Sequence, residues 1–225
     1  MECARDVARL LLLAVLVPFA GCRAAPYRDP GDSTVRLHTS PGGELGVSTE
    51  YGVVFLGQGK RSGEVEFTAW FGDGPSLETG IVEPLGGGLF LTRSEIRIPT
   101  VGVSFVEPRP GERVSVSGRE GRDGRYRFSA VVTADERVEG MLLRANGDLR
   151  ELGPEQVGAG VYVERDGRHL LVGLLSGRLR LPEAGGAPAG DFYTVVGPRE
   201  LWRLIAYPRD LERHRLRAHR GDVLP

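Results

Sequence analysis

Cysteine is nearly missing from this chain, and both copies, Cys3 and Cys22, fall close to the N-terminus. From residue 23 onward there is no thiol, which excludes a disulfide-stapled scaffold, a thiolate zinc centre and a cysteine nucleophile in the body of the protein. Lysine is scarcer still: Lys60 is the only one, and the remaining positive charge is arginine. The net charge is −1, so the chain lacks the basic footprint of a nucleic-acid-binding domain. The four histidines are His38, His169, His214 and His219, and no pair has metal-ligand spacing. On a helix His214 and His219 would point about 140° apart and could not share an ion. Neither a metal nor a cofactor is expected. Aromatic residues make up only 7%, so any core must be largely aliphatic.

What the chain does have begins with an apolar run over residues 10–19, preceded by Arg5 and Arg9. It has the length of a signal-peptide core and is too short to span a bilayer comfortably. It ends in Phe19-Ala20-Gly21-Cys22, which resembles the bacterial lipobox, although Phe19, Glu2 and Asp6 depart from the usual pattern. The resemblance implies removal of residues 1–21 and lipidation of Cys22. Palmitate-type acyl chains contribute ~0.8 kcal/mol per buried methylene, and several together hold a protein durably on a membrane. An ordinary secretory signal or a short anchor is the plainer reading. The lipobox implies a bacterial envelope protein at the periplasmic face of the outer membrane or the cell surface, because Arg23, not aspartate, follows the cysteine. Residues 22–33, marked by Pro26, Pro30 and Gly31, read as a tether.

Beyond the tether the chain is a series of short β-patterned runs. Val35 and Leu37 alternate with Arg36 and His38. Residues 53–56 are apolar throughout, whereas residues 64–71 place Val65, Phe67, Ala69 and Phe71 on one face and Glu64, Glu66 and Thr68 on the other. Similar runs occur at residues 89–91, Ile96 with Ile98, 101–106, Val114 with Val116, 126–132, 141–143, 161–163, 170–175 and 192–196. About a dozen short strands at this spacing argue for a sandwich or a pair of barrels. A helix is expected only over residues 199–206: Pro198 suits its first turn, Leu201, Leu204 and Ile205 share a face, and Pro208 stops it. Gly57-Gln58-Gly59-Lys60-Arg61-Ser62-Gly63 lacks phosphate-loop spacing and leads into a strand, so it reads as a glycine-rich hairpin. The tail carries Arg209, Arg213, Arg215, Arg217 and Arg220 against Asp210 and Glu212, with Leu211 and Leu216 between them. It reads as a solvated end, or as a contact with anionic headgroups or another acidic surface.

Val157-Gly158-Ala159-Gly160-Val161, followed by Val163, Asp166-Gly167-Arg168 and an apolar run ending in Leu174-Leu175-Ser176-Gly177, resembles the nucleophile region of chymotrypsin-like (trypsin-fold) peptidases. In that family a Gly-x-Ser-Gly-Gly-Pro-Val turn leads through a strand, a tight turn and a second strand. Pro108-Arg109-Pro110-Gly111-Glu112-Arg113-Val114 is similar to the family's entry to its second barrel. Phe192-Tyr193-Thr194-Val195-Val196-Gly197-Pro198 is similar to its last strand and entry to the terminal helix. The resemblance implies an all-β protein of two antiparallel six-stranded barrels with a short C-terminal helix.

It also implies empty catalytic positions. Val157 stands where the serine belongs. No histidine follows the second strand near Gly57-Gln58-Gly59, and no aspartate opens the run Gly87-Gly88-Leu89. A serine becomes a nucleophile only beside a base that is itself held in place by a third group. No catalytic residue is therefore assigned. The strand of Leu174, Leu175, Ser176 and Gly177 matches the one that pairs with substrate backbone, and implies a peptide-binding edge that needs no catalytic side chain. The plainer reading is a strand that closes the barrel with its edge covered.

The expected division is a signal peptide (1–21), tether (22–33), first barrel (34–108), second barrel with helix (109–206) and basic tail (207–225). The expected function is a lipid-anchored, non-catalytic binding or scaffolding module, with the membrane (through Cys22) and an extended peptide or protein as partners and no nucleic acid. Two rivals stay open: a hydrolase that brings Ser176 or Ser129 to His38 or His169, and a structural lipoprotein with an unrelated β-sandwich.

Overall fold

The computed structural model describes residues 29–38, 44–57, 63–71, 74–93, 98–120, 124–145, 156–183 and 189–206, apart from the Phe71 side chain. The signal segment, Cys22, residues 58–62 and the basic tail lie outside them.

The first six strands are β1 (Thr34–Leu37), β2 (Glu44–Thr49), β3 (Gly52–Leu56), β4 (Gly63–Phe71), β5 (Gly74–Gly86) and β6 (Leu89–Thr92). They close into an antiparallel barrel of order β1-β2-β3-β6-β5-β4. After β7 (Gly102–Val103) come β8 (Arg113–Glu120), β9 (Gly124–Thr133), β10 (Met141–Ala145), β11 (Gly160–Arg165), β12 (Arg168–Leu181) and β13 (Gly190–Val196). These last six run in the order β11-β8-β9-β10-β13-β12, and the β11–β12 pairing closes the ring. Both barrels therefore repeat one plan, in which the third strand neighbours the sixth and the fourth returns beside the first. Because each sheet closes on itself, the β-sandwich alternative is overturned.

That plan corrects two smaller expectations. β3 pairs with β2 and β6, and β4 with β1 and β5, so the glycine-rich stretch between β3 and β4 is a crossing connection and not a hairpin. Residues 54–56 belong to the barrel's third strand, not its second. Of the run 101–106 only Gly102 and Val103 form a strand, parallel to β12, because this stretch crosses between barrels. Val101 N–H bonds to Ser48 carbonyl (3.0 Å) and Ser104 N–H to Leu171 carbonyl (2.8 Å).

Strand pattern decides where the cores lie. β4 alternates because only one face is covered: Val65, Phe67 and Ala69 enter the first core, while Glu64 and Glu66 face solvent. β3 is apolar throughout because both faces are covered. Val53 and Phe55 point into the first barrel, and Val54 and Leu56 into a separate core between the barrels. β6 behaves likewise, with Phe90 inward and Leu89 and Leu91 at the junction. On β12, Val172 and Leu175 enter the second core while Leu171 and Leu174 join the junction. Helix α1 (Pro198–Leu201) and the helical turn that continues it over residues 203–206 add Leu201 and Leu204 to that junction.

The barrels are also tied by polar contacts. Leu45, on β2, inserts into the second barrel's core and donates its N–H to the Val157 carbonyl at 2.9 Å. Arg119 of β8, only 2% exposed, lies over the Trp70 ring of β4 at 3.7 Å. Residues 29–33, read as the end of the tether, are packed: Asp29 caps a short 3-10 turn (Pro30–Ser33), and Asp32 pairs with Arg125 at 2.7 Å. The Tyr162 hydroxyl lies 3.5 Å from the Pro30 carbonyl, and burial raises its pKa well above the ordinary tyrosine value.

Gly158 tests the junction. Its φ is +90°, and a Cβ there would overlap the Leu45 carbonyl. Gly158→Ala is expected to lower the Tm by several degrees, since a strained residue costs ~1–3 kcal/mol and ~1 kcal/mol moves Tm by roughly 2–4 °C at this size. Gly111→Ala has the same backbone strain (φ +88°) with open space around it and should lose less. Equal losses by thermal unfolding would mean that β2 and the 156–159 turn are not in rigid contact.

Candidate functional site

The segment before β11 carries the residues singled out by the resemblance. Gln156, Val157 and Gly158 form a tight turn, with Ala159 N–H reaching back to the Gln156 carbonyl at 3.2 Å. The turn is held from two sides. Leu45 N–H binds the Val157 carbonyl, while Gly158 N–H and Leu175 carbonyl (2.8 Å), and Leu175 N–H and Ala159 carbonyl (2.8 Å), stitch it to β12. The Val157 side chain, 7% exposed, points into the junction core with Leu56, Leu85, Leu89 and Leu174.

The two segments that the resemblance pairs with Val157 meet it there. Gly57 follows β3 and donates its N–H to the Gly88 carbonyl at 3.1 Å, in the turn between β5 and β6. Leu56 and Leu89, their chain neighbours, are in the same cluster as Val157. Gly86, Gly87 and Gly88 all have positive φ (88°, 64° and 78°), which favours glycine over aspartate at this turn. A Cβ at Gly57 would meet the Phe90 ring. Gln58, assigned to the same region, lies outside the described residues. The place where both barrels meet is thus a mostly aliphatic plug, with Tyr162 among its buried members.

One polar side chain at the plug went unnoticed in the sequence. Gln156 is 4% exposed, and its Oε1 has no hydrogen-bond partner among the described residues. Arg119 was missed for a related reason: β8 reads as an alternating strand, and nothing local marks one of its arginines as buried.

The strand proposed for peptide binding is part of β12. Leu174 and Leu175 are buried, and Ser176 and Gly177 are half-buried. Along one edge β12 pairs with β13 from Leu174 to Leu181, with a bulge between Leu175 and Gly177. Along the other, β11 stops at the Gly160–Leu174 pair. Past Leu175, no other strand among the described residues covers that second edge.

Of the serines and histidines named for the hydrolase rival, Ser176, His38 and His169 have other partners. Ser176 Oγ donates to Thr194 Oγ1 at 2.9 Å, and His38 Nε2 lies 2.8 Å from Thr68 Oγ1. His169 Nε2 lies 3.3 Å from Arg127. A guanidinium has only donors, so the imidazole nitrogen is the acceptor in that contact. Ser129 sits opposite Ser115 on β9.

With this geometry established, comparison with known proteins gives the fold class. No protein-family profile matches the chain, and no curated protein matches it in sequence. The inactive form of the Rv3671c protease of M. tuberculosis is similar over 79% of this chain and 89% of that one, with TM-score 0.53 and 16% identity. Kallikrein-related peptidase 10, solved as a complex with Zn2+, is similar over 82% and 98%, with TM-score 0.52 and 15% identity. At these identities the likeness establishes fold alone: this is a trypsin-like double barrel.

His169 makes a pH test of the barrel surface. Partial burial, and then Arg127, push its pKa below the ordinary 6.5, against weaker pulls from Glu164 and Asp29. The unfolded chain takes up that proton near 6.5 and the folded chain resists it, so stability should fall as pH drops below that value. In thermal melts from pH 7.5 to 5.5, His169→Gln should lose less stability than the native chain. Identical pH slopes would remove His169 from the account.

Proposed function

We propose that this chain is a lipid-anchored, catalytically inactive trypsin-fold protein that binds an extended peptide or partner segment at the bacterial envelope. Val157 carries the reading. Its side chain is buried among aliphatic residues at the turn where the fold would present a nucleophile. Attack on a carbonyl needs a hydroxyl or thiol beside a base, and valine has no proton to give up. Gly57 and Gly88 supply neither base nor carboxylate at the two turns that meet it. Binding does not need these groups. An extended segment added to the second edge of β12 would gain main-chain hydrogen bonds there, with Gly177 leaving room for its side chains. The lipobox-like Phe19-Ala20-Gly21-Cys22 supports the anchor.

Three measurements test the parts. A serine-directed fluorophosphonate probe should label neither the native chain nor Val157→Ser. The introduced hydroxyl would sit in an apolar cluster at a cost of about 1–3 kcal/mol and without a base. Labelling of the native chain that disappears in Ser176→Ala or Ser129→Ala would establish the hydrolase instead. Against an extended-peptide library, Gly177→Trp should weaken capture by about tenfold or more, because an added strand depends on close main-chain approach. Unchanged capture would refute the β12 site. In a bacterial host fed labelled palmitate, Cys22→Ser should lose the label and leave the membrane fraction; retention of both would refute the anchor.

A further inference from the structure

A second surface, unused by that function, lies beside helix α1. Val106 is 68% exposed and Trp202 51%, although both are large and apolar. An ion pair joins their neighbourhoods: Arg199 Nε lies 3.3 Å from Glu107 Oε2, and Trp202 follows Arg199 by three residues on the same helical side. Next to them opens a cleft of about 550 Å3, walled by Glu107, Glu139, Met141, Pro198, Arg199 and Glu200. Three carboxylates against one guanidinium leave it net negative. Glu200 accepts the Gly197 N–H at 3.1 Å and Glu107 faces Arg199, whereas Glu139 is exposed and has no ion pair among the described residues.

The chain beyond Ala206 has the opposite character. Residues 207–225 hold five arginines (Arg209, Arg213, Arg215, Arg217, Arg220) against Asp210, Glu212 and Asp222, a net charge of +2, with Leu211 and Leu216 interleaved. Reach is not limiting. Trp202 lies ~6 Å along the helix from Ala206 at 1.5 Å per residue, and the following chain spans ~3.3 Å per residue.

We infer that the basic C-terminal segment, residues 209–220, docks in cis on this surface, its leucines against Trp202 and Val106 and its arginines over Glu139 and the cleft mouth. Exposed ion pairs are weak one at a time. A segment tethered a few residues away, however, meets its site at an effective concentration of roughly millimolar, so several weak contacts suffice. Complementary charge also selects this surface over neutral ones. The docked segment shields Trp202 and occupies the cleft against any other basic partner.

Disulfide trapping in the full chain, with Cys3→Ser and Cys22→Ser, tests this. Glu139→Cys is combined in turn with Arg213→Cys, Arg215→Cys and Arg217→Cys, and the oxidised products are read on non-reducing gels and by peptide mass. The reference pairs the same tail cysteines with Leu77→Cys on β5, which is 63% exposed, opposite Thr68 and diagonal to Glu66 of β4, and offers an acidic-apolar face on the first barrel. Glu139 and Leu77 are both exposed, so neither substitution disturbs a core. An intramolecular link to position 139 is expected about tenfold faster than to position 77. It should slow several-fold in 1 M salt, where the screening length is ~3 Å. Equal rates, faster linkage at position 77, or insensitivity to salt would overturn the inference. So would links only between chains, which would place the segment on a second copy.

Discussion

The contact on which the rest of the molecule turns is small: the Leu45 N–H bound to the Val157 carbonyl, with Gly158 pressed against the Leu45 carbonyl. It sets a strand of the first barrel directly on a turn of the second. That turn is in turn bound to β12 through Leu175. Once these main-chain groups are paired, the Val157 side chain has one direction left, into the junction core. The two barrels then share with α1 a junction core that is separate from the core inside each barrel. A buried main-chain donor left without its acceptor would be costly, so the clamp is not readily opened in part.

Polar pairing and apolar filling act at different distances from that clamp. The Arg119–Trp70 contact and the packed turn at Pro30–Ser33 brace the barrels where the junction core does not reach. β7 adds a parallel pairing to β12 just before the chain enters the second barrel. The result is a double barrel with an apolar centre, and outside it an edge of β12 that no other strand among the described residues covers.

Much of this was legible in the residue pattern, for a definite reason. Strands covered on one face alternate, as residues 64–70 do, and strands covered on both faces do not, as residues 53–56 and 89–91 show. The apolar runs 53–56, 89–91 and 170–175 are those that meet between the barrels. Val157, Gly57 and Gly88 could be singled out, because glycine-rich spacing marks those turns. What packs against them could not. Leu45 crossing into the second core, Arg119 reaching Trp70 and a Gln156 Oε1 without a partner among the described residues all depend on residues far apart in sequence. The crossing connection after β3 was misread as a hairpin because glycine signals a turn without saying which strands it joins.

The stacking of Arg119 on Trp70 has an optical consequence. One indole is held under a guanidinium from the opposite barrel, and the other, on Trp202, lies on the outer surface where the basic segment is inferred to dock. The chain has no third tryptophan. Its intrinsic emission therefore divides into a channel that reports the seam between the barrels and a channel that reports the outer surface of the terminal helix. A partner that pries the barrels apart and one that settles beside the helix would leave different spectral signatures on the same unlabelled protein.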